Sequence, residues 1–130
     1  MLPAAYRLTD GEGFRTAVRT GHRVSAATLV VHLRVPVERA GDRAHGLPPR
    51  VGFVVSRAVG NAVTRNRVQR RLRHLVRPHL ATLPAGSVLV VRALPAAATA
   101  SGAELSADFE RCLARAATRG KAPIAGHGAS

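Results

Sequence analysis

Val68, Leu72, Leu75 and Val76 recur at helical spacing inside a stretch, Gly60 to His79, in which every charged side chain is positive. At 100° per residue these four fall within a stripe of about 100°, wide enough to seat a helix on a sheet. Gln69, Arg73, Asn66, Arg77, Arg70, Arg67 and Arg71 occupy the rest of the circumference, and Arg65 sits at the seam. The chain must therefore build a core under one face of this helix and leave the other face cationic. Solvated helix surfaces usually interleave Glu or Asp to form i,i+4 pairs worth a few tenths of a kcal/mol each. Here Arg67 with Arg71, and Arg73 with Arg77, are like charges at that spacing. Asn61 or Thr64 can cap the helix, and Pro78 is a brake near its end.

The flanking sequence supplies a sheet. Val51 to Val55 lie in a β-branched run, Arg50 to Ser56, and a second run spans Gly86 to Ala93. Upstream, Leu29, Val31, Leu33 and Val35 alternate with Thr28, Val30, His32 and Arg34, which predicts a strand with one apolar and one mixed face. One more strand is expected around Val24 or in the loop from Pro36 to Pro49. A first helix is expected before Gly21, with Thr9 and Glu12 at capping-box spacing, Phe14, Ala17 and Val18 on one face, and Gly21 ending it in a left-handed conformation. A last helix puts Leu105, Phe109, Cys112, Leu113 and Ala116 on one face, with Ser101 and Glu104 again at capping-box spacing. The order helix, strand, strand, helix, strand, helix reads as α+β, a small sheet with helices packed on it. The expected domain is 1–118, and 119–130 reads as a disordered tail.

Charge narrows the function. Twenty basic residues face seven acidic ones, a formal charge of +13. Self-repulsion of this size lowers stability, so a polyanionic partner is the natural explanation. A compositional bias toward arginine accounts for part of the count but not for its distribution. From Leu47 to Ala103 there are nine arginines and no acid. Arginine's planar fork suits bidentate contact with phosphate.

Self-contained catalysis has little support. The six histidines are scattered, with no pair at metal-ligand spacing on a helix face. The serines lack a nucleophile-elbow motif, and the basic centre lacks the paired carboxylates of a nuclease that holds its own metals. No catalytic residue and no protein-held metal is expected. Cys112 is the sole cysteine, as suits a reducing cytoplasm, and no apolar run approaches the ~20 residues of a membrane span. A cytoplasmic protein without a membrane partner is expected. A DNA partner is disfavoured because no helix precedes the basic one at helix-turn-helix spacing.

The run "RVGFVVSRAVGNAVTRNRVQRRLRH", Arg50 to His74, resembles the protein subunit of bacterial ribonuclease P, with its Arg-Asn-Arg core and flanking arginines. "RLTDGEGFRTAVRTGHRV" and "GSVLVVRALPA" are similar to the family's first helix and to the strand after its basic helix. The resemblance implies a two-layer α/β sandwich like the second domain of ribosomal protein S5, with three helices and a left-handed crossover through the basic helix. It implies a ribonucleoprotein that cuts the 5′ leader from precursor tRNA. The RNA subunit would be the catalyst, with Mg2+ held by RNA and substrate. The protein's partners would be ribonuclease P RNA and precursor tRNA. Carried over by position, Arg57, Asn61, Arg65, Asn66, Arg67, Arg70 and Arg73 would bind RNA. Phe14, Val18, His32 and Arg34 would line a cleft for the leader, although Phe14 equally suits a plain core position. Gln69 and Ala58 stand where lysine is common in the family, and Val18 and His32 where aromatics are common. The other reading is a non-enzymatic RNA-binding protein of ribosomal-protein or RNA-chaperone type.

Overall fold

A computed structural model describes residues 15, 17, 21–35 and 48–120. Four strands form one mixed sheet: β1 (His22–Ser25), β2 (Leu29–Arg34), β3 (Arg50–Val54) and β4 (Val88–Ala93). Their order is β1-β2-β4-β3. β1 and β4 each run antiparallel to β2, whereas β3 and β4 are parallel. A parallel pair needs a crossover, and the basic helix α1 (Ala62–Val76) supplies it, continued by a 3-10 segment, Arg77–Thr82. A second α-helix, α2 (Gly102–Gly120), ends the described chain and packs over β1 and β2. The extra strand expected near Val24 is β1.

Arg15 and Ala17 have helical backbone, but Thr9, Glu12, Phe14 and Val18 of the expected first helix lie outside the described residues, as do residues 36–47 and 121–130. Two α-helices, not three, are therefore established among the described residues. Gly21 donates its N–H to the Ala17 carbonyl at 2.8 Å. A β-carbon on Gly21 would run into that same oxygen and lie 3.0 Å from the Leu33 oxygen. Close backbone approach is thus reason enough for glycine there.

Strand alternation decides which side chains are buried where. Leu29, Val31 and Leu33 of β2, Leu89, Val91 and Ala93 of β4, and Val51 of β3 join one aliphatic core. Val68, Leu72 and Val76 of α1 and Leu105, Phe109, Cys112 and Ala116 of α2 cover it. Leu75, expected in the same seat, is only half-buried and lies at its margin. Fully burying an aliphatic side chain stabilises by about 1.5–3 kcal/mol. Three such side chains on α1 outweigh like-charge pairs costing tenths of a kcal/mol. On the other side of the sheet, Val54, Val88 and Val90 pack with Ala17.

The ends of the elements follow from local chemistry. Ser101 and Glu104 form the expected reciprocal box: the Ser101 N–H donates to Glu104 Oε1 at 2.8 Å, and the Glu104 N–H to Ser101 Oγ at 3.1 Å. α1 stops at Val76, and Pro78 sits in the first turn of the 3-10 segment, where its missing N–H costs nothing. Gly86 has φ +76° before Ser87, whose N–H bonds the Pro84 carbonyl at 3.1 Å, a turn that favours glycine. The connector after β4, which showed little local preference, contains a 3-10 turn, Pro95–Ala98, with Ala97 and Ala100 buried.

One carboxylate ties α2 to the β1–β2 turn. Asp108 Oδ2 accepts from the Thr28 hydroxyl at 2.7 Å and from its N–H at 3.2 Å, and Oδ1 accepts from Arg111 at 2.6 Å. The Thr28 hydroxyl, aided by Arg111 and the Thr28 N–H, holds this carboxyl below its usual range against the opposing effect of burial. A depressed carboxylate pKa adds stability that is present above the unfolded value, about 4, and is lost as pH falls through the folded one. Hydrogen bonds to a charged group contribute about 1.5–3 kcal/mol each. Asp108→Ala should therefore lose about 2 kcal/mol in urea unfolding at pH 7, and the gap from the parent should narrow below about pH 4.

Candidate nucleic-acid interface

The cationic surface begins in the turn between β3 and α1. Ser56 to Gly60 form two overlapping turns, with the Val59 N–H on the Ser56 carbonyl at 3.1 Å and the Gly60 N–H on the Arg57 carbonyl at 3.2 Å. Arg57 and Ala58 are exposed on this turn, while Val59 is buried beneath it. Gly60 has φ +156°, and a β-carbon there would lie 2.9 Å from Thr64 Cγ2. The glycine lets the chain enter the helix over the Thr64 side chain.

Asn61 resolves the capping choice. Its backbone is extended, and its Oδ1 accepts from the Thr64 N–H at 2.9 Å. Its side-chain amide nitrogen is left for other contacts. The first turn of α1 has no acidic residue, so the positive end of its helix dipole is not offset. Val63, in that turn, is a large apolar residue at 74% exposure.

The arginines of α1 divide into groups. Arg67 donates to the Ala98 carbonyl at 3.1 Å and Arg71 to the Ala100 carbonyl at 3.1 Å. This i,i+4 pair of like charges is therefore directed at two carbonyls of the 95–101 connector. Arg65 and Arg73 are half-buried beside the apolar seat. The Nε of Arg65 is shielded from solvent and has no acceptor among the described residues. Asn66, Arg70 and Arg77 are exposed, and Gln69 is half-buried. None of the six arginines from Arg65 to Arg77 forms an ion pair with a described carboxylate.

His32 and Arg34 lie elsewhere. Strand register sets Arg23 beside His32, Arg92 beside Val30, Val90 beside His32 and Arg50 beside Val88. Paired residues share a face, so His32 and Arg34 are on the side of the sheet away from α1. His32 is 5% exposed, and its Nδ1 has no partner among the described residues. Burial, then the charges of Arg23 and Arg92, pushes its pKa down, which favours the neutral ring. Arg23, Arg50 and Arg92 join this face although the sequence analysis did not single them out. Alternation within β4 would have paired Arg92 with Val88 and Val90, but only strand pairing brings the four arginines together. Phe14 and Val18 lie outside the described residues.

The acidic residues in the described region are engaged with neighbours. Glu104 caps α2, Asp108 holds Thr28 and Arg111, and Glu110 lies 3.4 Å from His79. No group of three or more His, Cys, Asp or Glu that could hold a metal occurs among the described residues. No helix among the described residues is long and apolar enough to cross a membrane.

Known proteins resemble this chain in sequence and in fold. The family model described as Ribonuclease P matches residues 2–117. A ribonuclease P protein component from a Nocardioides species is 62% identical over 115 residues, covering 88% of this chain and 94% of the relative. One from Streptomyces avermitilis is 52% identical over 116 residues, with the same coverage. Among solved structures, the Staphylococcus aureus RNase P protein superposes with a TM-score of 0.69 at 26% identity, covering 85% of this chain and 94% of that one.

The cap geometry has a measurable consequence. Asn61→Ala should lower stability by about 1 kcal/mol. Asn61→Asp should keep it, because the carboxylate still accepts from Thr64 and suits the helix N-terminus. Thermal unfolding of the two variants beside the parent checks both.

Proposed function

This chain belongs to the bacterial ribonuclease P protein family, and on that premise we propose that it acts as the protein component of ribonuclease P. That ribonucleoprotein endoribonuclease removes the 5′ leader from precursor tRNA. The observation that carries the reading is α1 itself, a helix seated by three buried aliphatic residues and bearing five arginines, with Arg77 just past its end, none with a described carboxylate partner. This reading is favoured over a ribosomal-protein or RNA-chaperone role by the family match along nearly the whole chain.

In this role the chain binds ribonuclease P RNA and precursor tRNA. Arg57, Asn66, Arg70 and Arg73 meet phosphates and sugars. Arg65 gains an acceptor for its otherwise unpaired Nε or for its terminal nitrogens. Asn61 and Arg67 divide their side chains between the fold and the partner. The leader runs along the sheet face with His32 and Arg34, joined there by Arg23, Arg50 and Arg92; Phe14 and Val18 are further leader contacts in this reading. Mg2+ is held by RNA and substrate, and bond breaking belongs to the RNA. The protein raises substrate and metal affinity by placing positive charge beside the RNA. The handedness of the crossover and the likeness to ribosomal protein S5 belong to the same reading, as does a cytoplasmic location.

Reconstitution tests the role directly. Added to a bacterial ribonuclease P RNA at low Mg2+, the protein should raise leader cleavage well above that of RNA alone; no gain would defeat the reading. If about six cations neutralise phosphates, the log–log slope of RNA affinity against salt should be roughly −5. Filter binding between low and moderate salt measures it, and a flat response would be incompatible with phosphate contact.

A further inference from the structure

A groove of about 680 Å³ separates α1 and its 3-10 extension from α2. We infer that it receives one unstacked nucleobase of the RNA partner, with the flanking phosphates on the arginine side. The inference rests on the proposed function for the nature of the partner, and it adds a second, base-accepting site to a phosphate-binding helix.

The volume suits a small planar ligand, since such sites span roughly 300–1,000 Å³. Leu75 and Pro78 supply apolar floor along one wall. His79 completes that wall, and its ring is held on two sides. It meets the buried Phe109 edge-on, with centroids 5.3 Å apart at 66°, and its Nε2 is 3.4 Å from Glu110 Oε2. A ring fixed in advance stacks on a base with little further loss of freedom. On the opposite wall, Ser106 and Glu110 offer a hydroxyl and a carboxylate to the polar edge of a base.

Charge selects the kind of occupant. Arg70 lines the groove, is exposed, and has no acceptor among the described residues. Arg71 also lines it, with one nitrogen anchored on the Ala100 carbonyl. Glu110 is the one carboxylate among the described lining residues. An apolar slot with guanidinium groups at its mouth matches a base attached to phosphates better than an acidic or purely apolar peptide. The entrance at α2 is open, since a β-carbon on Gly102 would meet nothing within 4 Å.

That opening provides the test. Gly102→Leu adds bulk to the slot, and Ser106→Leu obstructs it from a second position. Each is assembled as the full chain with a bacterial ribonuclease P RNA and examined by base-specific chemical probing, filter binding and thermal melting. The wild-type protein should shield one or a few unpaired bases. The occluding variants should melt normally, re-expose those bases, and bind the RNA about tenfold more weakly, the loss expected for one stacked base. Ala107→Leu, exposed on α2 and outside the groove, should leave the footprint intact. If a normally melting Gly102→Leu or Ser106→Leu keeps both the footprint and an affinity within twofold of wild type, the inference is overturned, which is also the result a peptide-binding groove would give. Failure of the wild-type protein to bind the RNA at all would instead defeat the proposed function.

Discussion

Burial of Val68, Leu72 and Val76 against the sheet is the interaction on which the molecule turns. It holds in place a helix whose own charges oppose its formation. Each buried side chain contributes kcal/mol, while each like-charge i,i+4 pair costs only tenths. The seat therefore wins without ion pairs, and the arginines can remain unneutralised by the chain itself. A polyanion would relieve the repulsion that remains. The apolar seat and the cationic surface thus use the same fifteen-residue helix, on opposite sides of its axis.

The basic motif serves the fold as well as the proposed RNA contacts. Asn61 closes the first turn of α1, and Arg67 and Arg71 hold the connector that leads into α2. The connector has little secondary-structure preference of its own, and its alanines offer few side-chain anchors. Two guanidinium groups on its carbonyls, with the burial of Ala97 and Ala100, fix its course. Substitutions in the motif therefore perturb the fold as well as any contact with the proposed partner.

Helices and their ends were the most legible part of the chain. The period of Val68, Leu72 and Val76, the Ser101–Glu104 box and the brake at Pro78 all follow from contacts within a few residues. Strand existence was also local, since alternation marks β2 and short β-branched or aliphatic runs mark β3 and β4. Leu75 was misjudged because periodicity treats a helix as meeting a flat surface, whereas α1 meets the sheet on one flank and a groove on the other. The Asp108–Thr28 contact was invisible because its partners are 80 residues apart, and no local pattern marks such a pair.

By itself, the sequence determined that this chain carries an amphipathic arginine helix beside a small sheet, and that its likeness is to a family of RNA-binding subunits. Those properties depend on residue type and short-range spacing, which the chain carries before it folds. Tertiary structure decided how the charge is distributed. Strand order and register put Arg23, Arg34, Arg50 and Arg92 on one face of the sheet and α1 on the other. The packing of α1 beside α2 also created the groove around Leu75, Pro78 and His79. Both outcomes depend on pairings between segments far apart in the chain, and such pairings exist only once the sheet has assembled.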